Sequence, residues 1–307
     1  MNAPTPGPAA AAAPAAGGGS AINRNIAALG FTSLLTDVSS EMIIPVLPLF
    51  VTATLGASVA SLGFIEGVAE STASLLRLGS GWLSDRIGRR KPFLLFGYGL
   101  STAAKGMLAV AGSWPAVLGL RFSDRLGKGL RSPPRDALIA DSVEPRFRGR
   151  AYGLHRALDT TGAAIGPVVA AWLLARHPGD FRHVFLISIV PGVLSLLVLA
   201  IFVRAPRHVA AAGAPLHHEV RAMGAPFARF LVADGLFQLA NSSNAFLLLR
   251  ARDAGFAPAQ VPLVYVGYNL AYALLAYPAG MVSDRVGRRG MLAASYVLYA
   301  GIYAALA

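Results

Sequence analysis

The chain alternates between apolar blocks and short polar connectors. A helix needs about 20 mostly apolar residues to cross a bilayer, and blocks of that length recur along the whole sequence. The first runs from Ile26 to Leu55 and the second from Val59 to Ser84. Pro92–Ser113, Pro115–Val143, Ala151–Ala175 and His183–Val203 follow. A polar connector at 204–225 separates these six from Pro226–Leu249, Gln260–Ser283 and a ninth block that begins near Gly290. The pattern predicts an all-α membrane protein, with a six-helix transmembrane bundle over 26–203 and the first part of a second bundle over 226–307. Ahead of them, residues 1–25 are rich in alanine, proline and glycine without periodicity, which predicts a disordered tail. That segment has neither the basic start nor the leucine-rich centre of a signal peptide.

Composition agrees. Only 14% of residues are charged and 55% are hydrophobic, whereas soluble domains carry about 25% charged residues. The absence of cysteine rules out disulfides and thiolate metal sites. The paired histidines of "LHHEV" (Leu216–Val220) lack the spacing of a zinc-binding helix. No metal and no cofactor is expected.

A net charge of +12 would suit a nucleic-acid partner, but its distribution gives another explanation. Connectors after even-numbered blocks hold Arg86, Arg89, Arg90 and Lys91, then Arg146, Arg148 and Arg150, and later Arg204, Arg207 and Arg221. After the eighth block come Arg285, Arg288 and Arg289. Odd connectors hold only Arg176 and Arg182, then Arg250 and Arg252. Positive loops stay inside, so a cytoplasmic N-terminus in the plasma membrane is expected and no nucleic acid is needed. Trp82, Trp114 and Trp172 fall near span ends, as an interfacial belt predicts.

One connector is written twice. "GWLSDRIGRRK" begins at Gly81, and "GMVSDRVGRRG" begins at Gly280. "VSSEM" (Val38–Met42) precedes the first and "NSSNA" (Asn241–Ala245) the second. Six spans separate the copies, so both have the same orientation, the arrangement of a parallel-repeat transporter. The first copy resembles the loop between spans two and three of the major facilitator superfamily, G-x-L-x-D-R-x-G-R-R/K, at every fixed position. The second copy has Val282 for leucine. The fifth block resembles the superfamily's antiporter motif through Gly153, Gly162, Gly166 and Pro167, with Ala170 and Ala171 in place of its last two glycines. "ADSVEPRFRGRAYG" (Ala140–Gly153) is similar to the superfamily's connector between spans four and five.

That resemblance implies a secondary transporter that works by alternating access, monomeric in the bilayer, moving a small molecule. It implies a gating role for the turn residues Gly81, Asp85, Arg86, Gly88 and Arg89, and for Asp284, Arg285, Gly287 and Arg288. The plainer alternative is a turn that only anchors topology. Members of the superfamily have two six-span halves, so a chain that reaches a ninth span is expected to be a fragment or a truncated product.

Charges also lie within the apolar blocks, where each costs about 2.5–3.5 kcal/mol on insertion scales. Asp37 and Glu41 are four apart in the first, and Glu66 and Glu70 four apart in the second, so each pair shares a helix face. The third holds Lys105. The fourth holds Arg121, Asp124, Arg125, Lys128 and Arg131 ahead of Pro133 and Pro134, which are expected to disrupt its helix. The fifth begins with His155, Arg156 and Asp159. At 1.5 Å per residue, Asp124 and Arg125 sit about 15 Å below the outer end of the fourth block, near mid-membrane.

The reading is that acids of the first two spans meet bases of the fourth. By resemblance, the superfamily's fourth-span arginine is Arg121 or Arg125. Embedded acids (Asp37, Glu41, Glu66, Glu70, Asp124, Asp159) balance embedded bases (Arg77, Lys105, Arg121, Arg125, Lys128, Arg156). The sign of a substrate is therefore left open, and a purely structural ion-pair network is the alternative. Tyr265, Tyr268, Asn269 and Tyr272 give the eighth span a polar-aromatic face, for substrate or for packing. "GKGL" at Gly127–Leu130 lacks the serine or threonine of a phosphate loop.

The function expected is proton-coupled export of a small molecule, with Asp37, Glu41, Glu70 and Glu66 as proton-coupling candidates and Arg121, Asp124, Arg125 and Lys105 as their charge partners. Proton symport is the alternative. A polytopic membrane enzyme is disfavoured, because a single active site needs no second copy of the turn.

Overall fold

The structure is a computed structural model that describes residues 23–144 and 147–205, and beyond them 224–225, 229–230, 232–233, 235, 237, 243–271 and 288–306. The described residues form helices and no strand. Five of the helices are long and apolar enough to cross a membrane.

α1 (Arg24–Ile43) starts where the Asn23 side chain accepts a hydrogen bond from the Ile26 amide at 3.0 Å. Its polar stretch is made compatible with burial by back-bonding to the preceding turn. Thr32 donates to the Ala28 carbonyl and Thr36 to the Thr32 carbonyl. The first span is not one regular helix. It breaks after α1, resumes as the short α2 (Leu47–Leu49) and ends in a π-turn at Phe50–Thr54, closed by Leu55 N to Phe50 O at 3.1 Å. The cause is Pro45 and Pro48, whose missing N–H groups interrupt the ladder.

α3 (Val59–Ile87) is capped by Ser58, and its C-cap is Gly88 at φ 66°, a left-handed conformation that glycine adopts without a Cβ clash. α4 (Arg90–Met107), α5 (Trp114–Asp141), α6 (Arg148–Arg176) and α7 (Phe181–Phe202) complete the bundle. α8 (Asn244–Asp253), α9 (Val261–Ala271) and α10 (Arg288–Leu306) are the described helices of the second part.

Pro133 and Pro134 do not disrupt α5, contrary to expectation; both lie inside a helix that continues to Asp141. Pro133 leaves the carbonyl of Gly129 without its helical donor, and the Ser80 hydroxyl of α3 supplies one at 2.8 Å. A neighbouring side chain thus restores the bond that proline removes, as membrane interiors require. The two helices come close here: a Cβ on Gly129 would meet Leu76 Cβ at 2.7 Å, and one on Gly81 would meet Pro133 at 3.2 Å.

The six helices pack in the order α6, α1, α7, α4, α5, α3. α6 packs chiefly on α1, and α3 chiefly on α5. These two helices end the row and share no substantial packing. Two apolar clusters cap the bundle. Tyr98, Leu94, Leu29 and Ile139 belong to one; Phe50, Phe185, Leu62 and Val117 belong to the other, at the end bearing the α1–α3 and α4–α5 connectors. Ala245 and Leu248 of α8, with Val261 and Tyr265 of α9, join this second cluster. The charged side chains lie between the two clusters.

If Ser80 replaces the lost donor, Ser80→Ala should lower the stability of the purified protein by about 1–3 kcal/mol, the cost of an unsatisfied buried carbonyl. In a Pro133→Ala background the helix donates its own N–H, and the same substitution should cost almost nothing in thermal or denaturant melts. Equal costs in the two backgrounds would contradict the assignment.

Candidate functional site

The site is built on one face of α5. Arg121, Asp124, Arg125, Lys128 and Arg131 recur at helical spacing, so they point the same way. Arg121, Asp124, Arg125 and Arg131 are each less than 10% exposed. Charges so placed need partners, and the neighbouring helices provide most of them.

α3 supplies carboxylates. Arg121 Nη2 lies 2.8 and 3.1 Å from the two oxygens of Glu66, and Arg125 Nη1 lies 3.3 Å from Glu70. The Glu66 side chain is 14% exposed and that of Glu70 is 58% exposed, so only the first pair is enclosed. α4 supplies hydroxyl and aromatic partners. Ser101 donates to Asp124, which also meets Arg121 Nη1 at 3.4 Å and Arg125 Nε at 3.8 Å. The Arg131 guanidinium sits 4.3 Å from the centre of the Tyr98 ring. Lys105 of α4 reaches α1, where its Nζ donates to the Ser40 hydroxyl at 3.1 Å.

α1 brings Asp37 and Glu41. Neither forms an ion pair with Arg121 or Arg125 among the described residues, although all four line one cavity. Asp37 faces Asp159 of α6, which accepts from Ser33 and meets Arg156 at 3.5 Å. Glu41 lies near Tyr265 of α9, and its Oε2 has no partner. The cavity between α1, α4 and α5 measures about 30 Å³, room for about two waters at roughly 10–15 Å³ each.

The expected meeting of acids and bases thus occurs, with a different division of labour. The α3 acids hold the α5 arginines, while the α1 acids face the cavity. Arg77 and Arg156, counted with the embedded bases, are exposed on α3 and α6, the two helices that end the row. Bases in hydrocarbon are costly, so this open side faces protein or a wet cavity rather than lipid tails. Arg131 is a further embedded base, and its spacing from Arg121 places it on the same charged face. The Asp37–Asp159 contact had no sequence signal, since only packing of α1 on α6 creates it.

That packing uses the fifth-span glycines. A Cβ on Gly166 would lie 2.7 Å from the Val38 carbonyl and 2.9 Å from Glu41 Cβ. One on Gly162 would collide with the Leu34 carbonyl and lie 3.1 Å from Asp37 Cβ. Small residues at such points let helix backbones touch. Gly153, by contrast, has open space around it. Pro167 is buried within α6, and Ala170 and Ala171 are buried beyond it.

In the turn after α3, the partner of Asp85 is Arg90 at 2.9 Å rather than Arg89, which is exposed. Arg90 also bonds Asp141 at the end of α5, so one guanidinium ties α3, α4 and α5 together. Arg86 lies over the Trp82 ring at 5.1 Å. Lys91 donates to the carbonyls of Ala200 and Val203, both at 2.8 Å, fastening α7 to the same end. Asp284, Arg285, Gly287 and Tyr272 lie outside the described residues, as does the side chain of Arg288. Tyr265 and Tyr268 stack with ring centres 6.0 Å apart, and the Asn269 amide nitrogen is buried without a partner.

Residues 29–251 match the sequence pattern of the Major Facilitator Superfamily. An uncharacterized MFS-type transporter of Methanocaldococcus jannaschii is 32% identical over 284 residues, covering 91% of this chain and 71% of the relative. The multidrug resistance protein MdtG of Proteus mirabilis is 29% identical over 188 residues, 60% of this chain and 46% of its own. Among solved structures, a bacterial homolog of the human lysosomal transporter Spinster superposes with a TM-score of 0.65 at 19% identity, over 86% of this chain and 63% of that one. The chain therefore spans somewhat less than two thirds of that structure's length.

The two α3 carboxylates should differ in energetic weight. Glu66→Gln leaves Arg121 enclosed without its strongest partner and should cost about 3 kcal/mol. Glu70→Gln removes a largely exposed contact and should cost less than about 1 kcal/mol. Melting of the purified variants measures both, and equal losses would refute this division.

Proposed function

This chain belongs to the Major Facilitator Superfamily, and on that premise we propose that it is a secondary active transporter that exports a small molecule in exchange for protons. It is a multi-pass membrane protein; in this reading it sits in the plasma membrane with its N-terminus in the cytoplasm, where the arginine-rich connectors belong. One observation carries the proposal. Asp37 and Glu41 line the cavity beside Arg121 and Arg125 but stay outside the ion pairs that hold these arginines. A proton carrier has to change charge during the cycle, and carboxyls locked in structural pairs do so poorly.

Asp37 has the better placement. Two carboxyl groups brought together in a buried site favour holding a proton between them, and Asp37 faces Asp159 across the α1–α6 contact. Any rocking of α6 against α1 alters the ability of that pair to keep its proton. Gly162 and Gly166 make this contact close enough for small movements to matter. Glu41, whose neighbours include Tyr265 of α9, is the second carrier, and it links the first bundle to the second. Export is favoured over uptake because the fifth-span glycines resemble the antiporter motif and because several relatives are named as multidrug resistance proteins. The gating turn enters as the Asp85–Arg90–Asp141 bridge, which holds the ends of α3, α4 and α5 as one unit.

The chain has no cysteine, so Ser40→Cys introduces a single thiol at the cavity. In sealed vesicles, an impermeant maleimide should reach this thiol from both sides of the membrane, with the ratio shifting as the pH changes. Asp37→Asn should abolish the shift without abolishing labelling. Labelling from one side only, at every pH, would sink alternating access. A pH-dependent shift that survives Asp37→Asn and Glu41→Gln would leave these carboxyls structural.

A further inference from the structure

The formal balance of embedded acids and bases hides an imbalance in how they are paired. Glu66, Glu70 and Asp124 are engaged by Arg121 and Arg125. Three more cations line the cavity, Lys105, Lys128 and Arg131, and none has a carboxylate within ion-pair distance among the described residues. Lys105 has one hydroxyl partner, Ser40. The Lys128 ammonium makes no hydrogen bond among the described residues. Arg131 is 5% exposed, leans on the Tyr98 ring, and has a buried Nη1 without any acceptor.

A buried guanidinium nitrogen without an acceptor is costly, and a donor-rich wall of this kind is half of a recognition site. We propose that the cavity recognises an oxyanion, so that the transported solute carries a carboxylate or phosphate group which docks between Lys105, Lys128 and Arg131. This assignment rests on the transport reading for its biological use, but the binding it predicts is independent of transport.

The geometry favours an anion over a cation for two reasons. The cavity's own acids have other neighbours: Asp37 faces Asp159, and Glu41 lies near Tyr265. The free donors come from two helices, α4 and α5, and the small space between them fits one compact group. An oxyanion offers several acceptor oxygens to these donors and replaces the water they otherwise need. Glu41, on the opposite wall with Oε2 unpartnered, repels such a group when ionised. Proton uptake there would therefore favour anion entry, and anion release would favour proton loss.

The test is equilibrium binding to the purified protein in detergent, read by calorimetry and thermal stabilisation, with inorganic phosphate and propionate as anionic probes and tetraphenylphosphonium as the cationic one. At least one anionic probe should bind and stabilise the fold, and the cation should not. Lys128→Gln, at a half-buried position, should weaken anion binding about tenfold, the loss of one charge-assisted hydrogen bond. Glu41→Gln should strengthen it. Opposite signs at these two positions are the signature, since a general loss of structure would weaken both. Binding of the cation alone, failure of both anions to bind, or an unchanged affinity in Lys128→Gln would overturn the proposal. None of these results bears on alternating access, which the Ser40→Cys labelling decides separately.

Discussion

Charged side chains on one face of α5 must be neutralised inside the membrane, and the rest of the bundle is arranged around that demand. Asp124 gathers Arg121, Arg125 and the Ser101 hydroxyl. Glu66 closes over Arg121 from α3 and Tyr98 over Arg131 from α4. The penalty for breaking such a pair, several kcal/mol when one partner is removed, far exceeds the gain from any single apolar contact. The helices that carry the partners are therefore held in register against α5, and apolar clusters fill the space above and below.

Close packing then sets what the other helices can do. α6 rides on α1 through Gly162 and Gly166, with backbone near backbone. α3 meets α5 where Ser80 completes the hydrogen bond that Pro133 removed. These contacts belong to the two helices that end the row. A bundle made this way is rigid at its centre and has two free flanks. That suits a half that rocks against a partner half, as parallel-repeat transporters do. The Asp85–Arg90–Asp141 bridge and the Lys91 contacts with α7 tie together the connector end of the bundle.

The cavity inherits its chemistry from what the ion pairs leave over. Structural pairs consume the α3 carboxylates and two arginines. Lys105, Lys128, Arg131, Asp37 and Glu41 remain on the walls. Paired and unpaired charges thus share one cavity and are distinguished by whether their partners are fixed.

The sequence by itself determined the membrane class and the family, because each rests on local signals: block length and a contiguous turn motif. It also placed the embedded charges at one depth, since helical rise converts position into height. It could not determine who pairs with whom. Asp37 and Glu41 looked like partners of Arg121 and Arg125 by depth alone, yet depth says nothing about azimuth, and packing of α3 on α5 delivered Glu66 and Glu70 instead. Arg89 and Arg90 are adjacent in the motif, and only the helix start at Arg90 decides which of them turns toward Asp85 and Asp141. The prolines of α5 looked like a break because the sequence cannot show a donor arriving from residue 80. Pairing is a relation between elements distant in the chain, and the tertiary structure alone decides it.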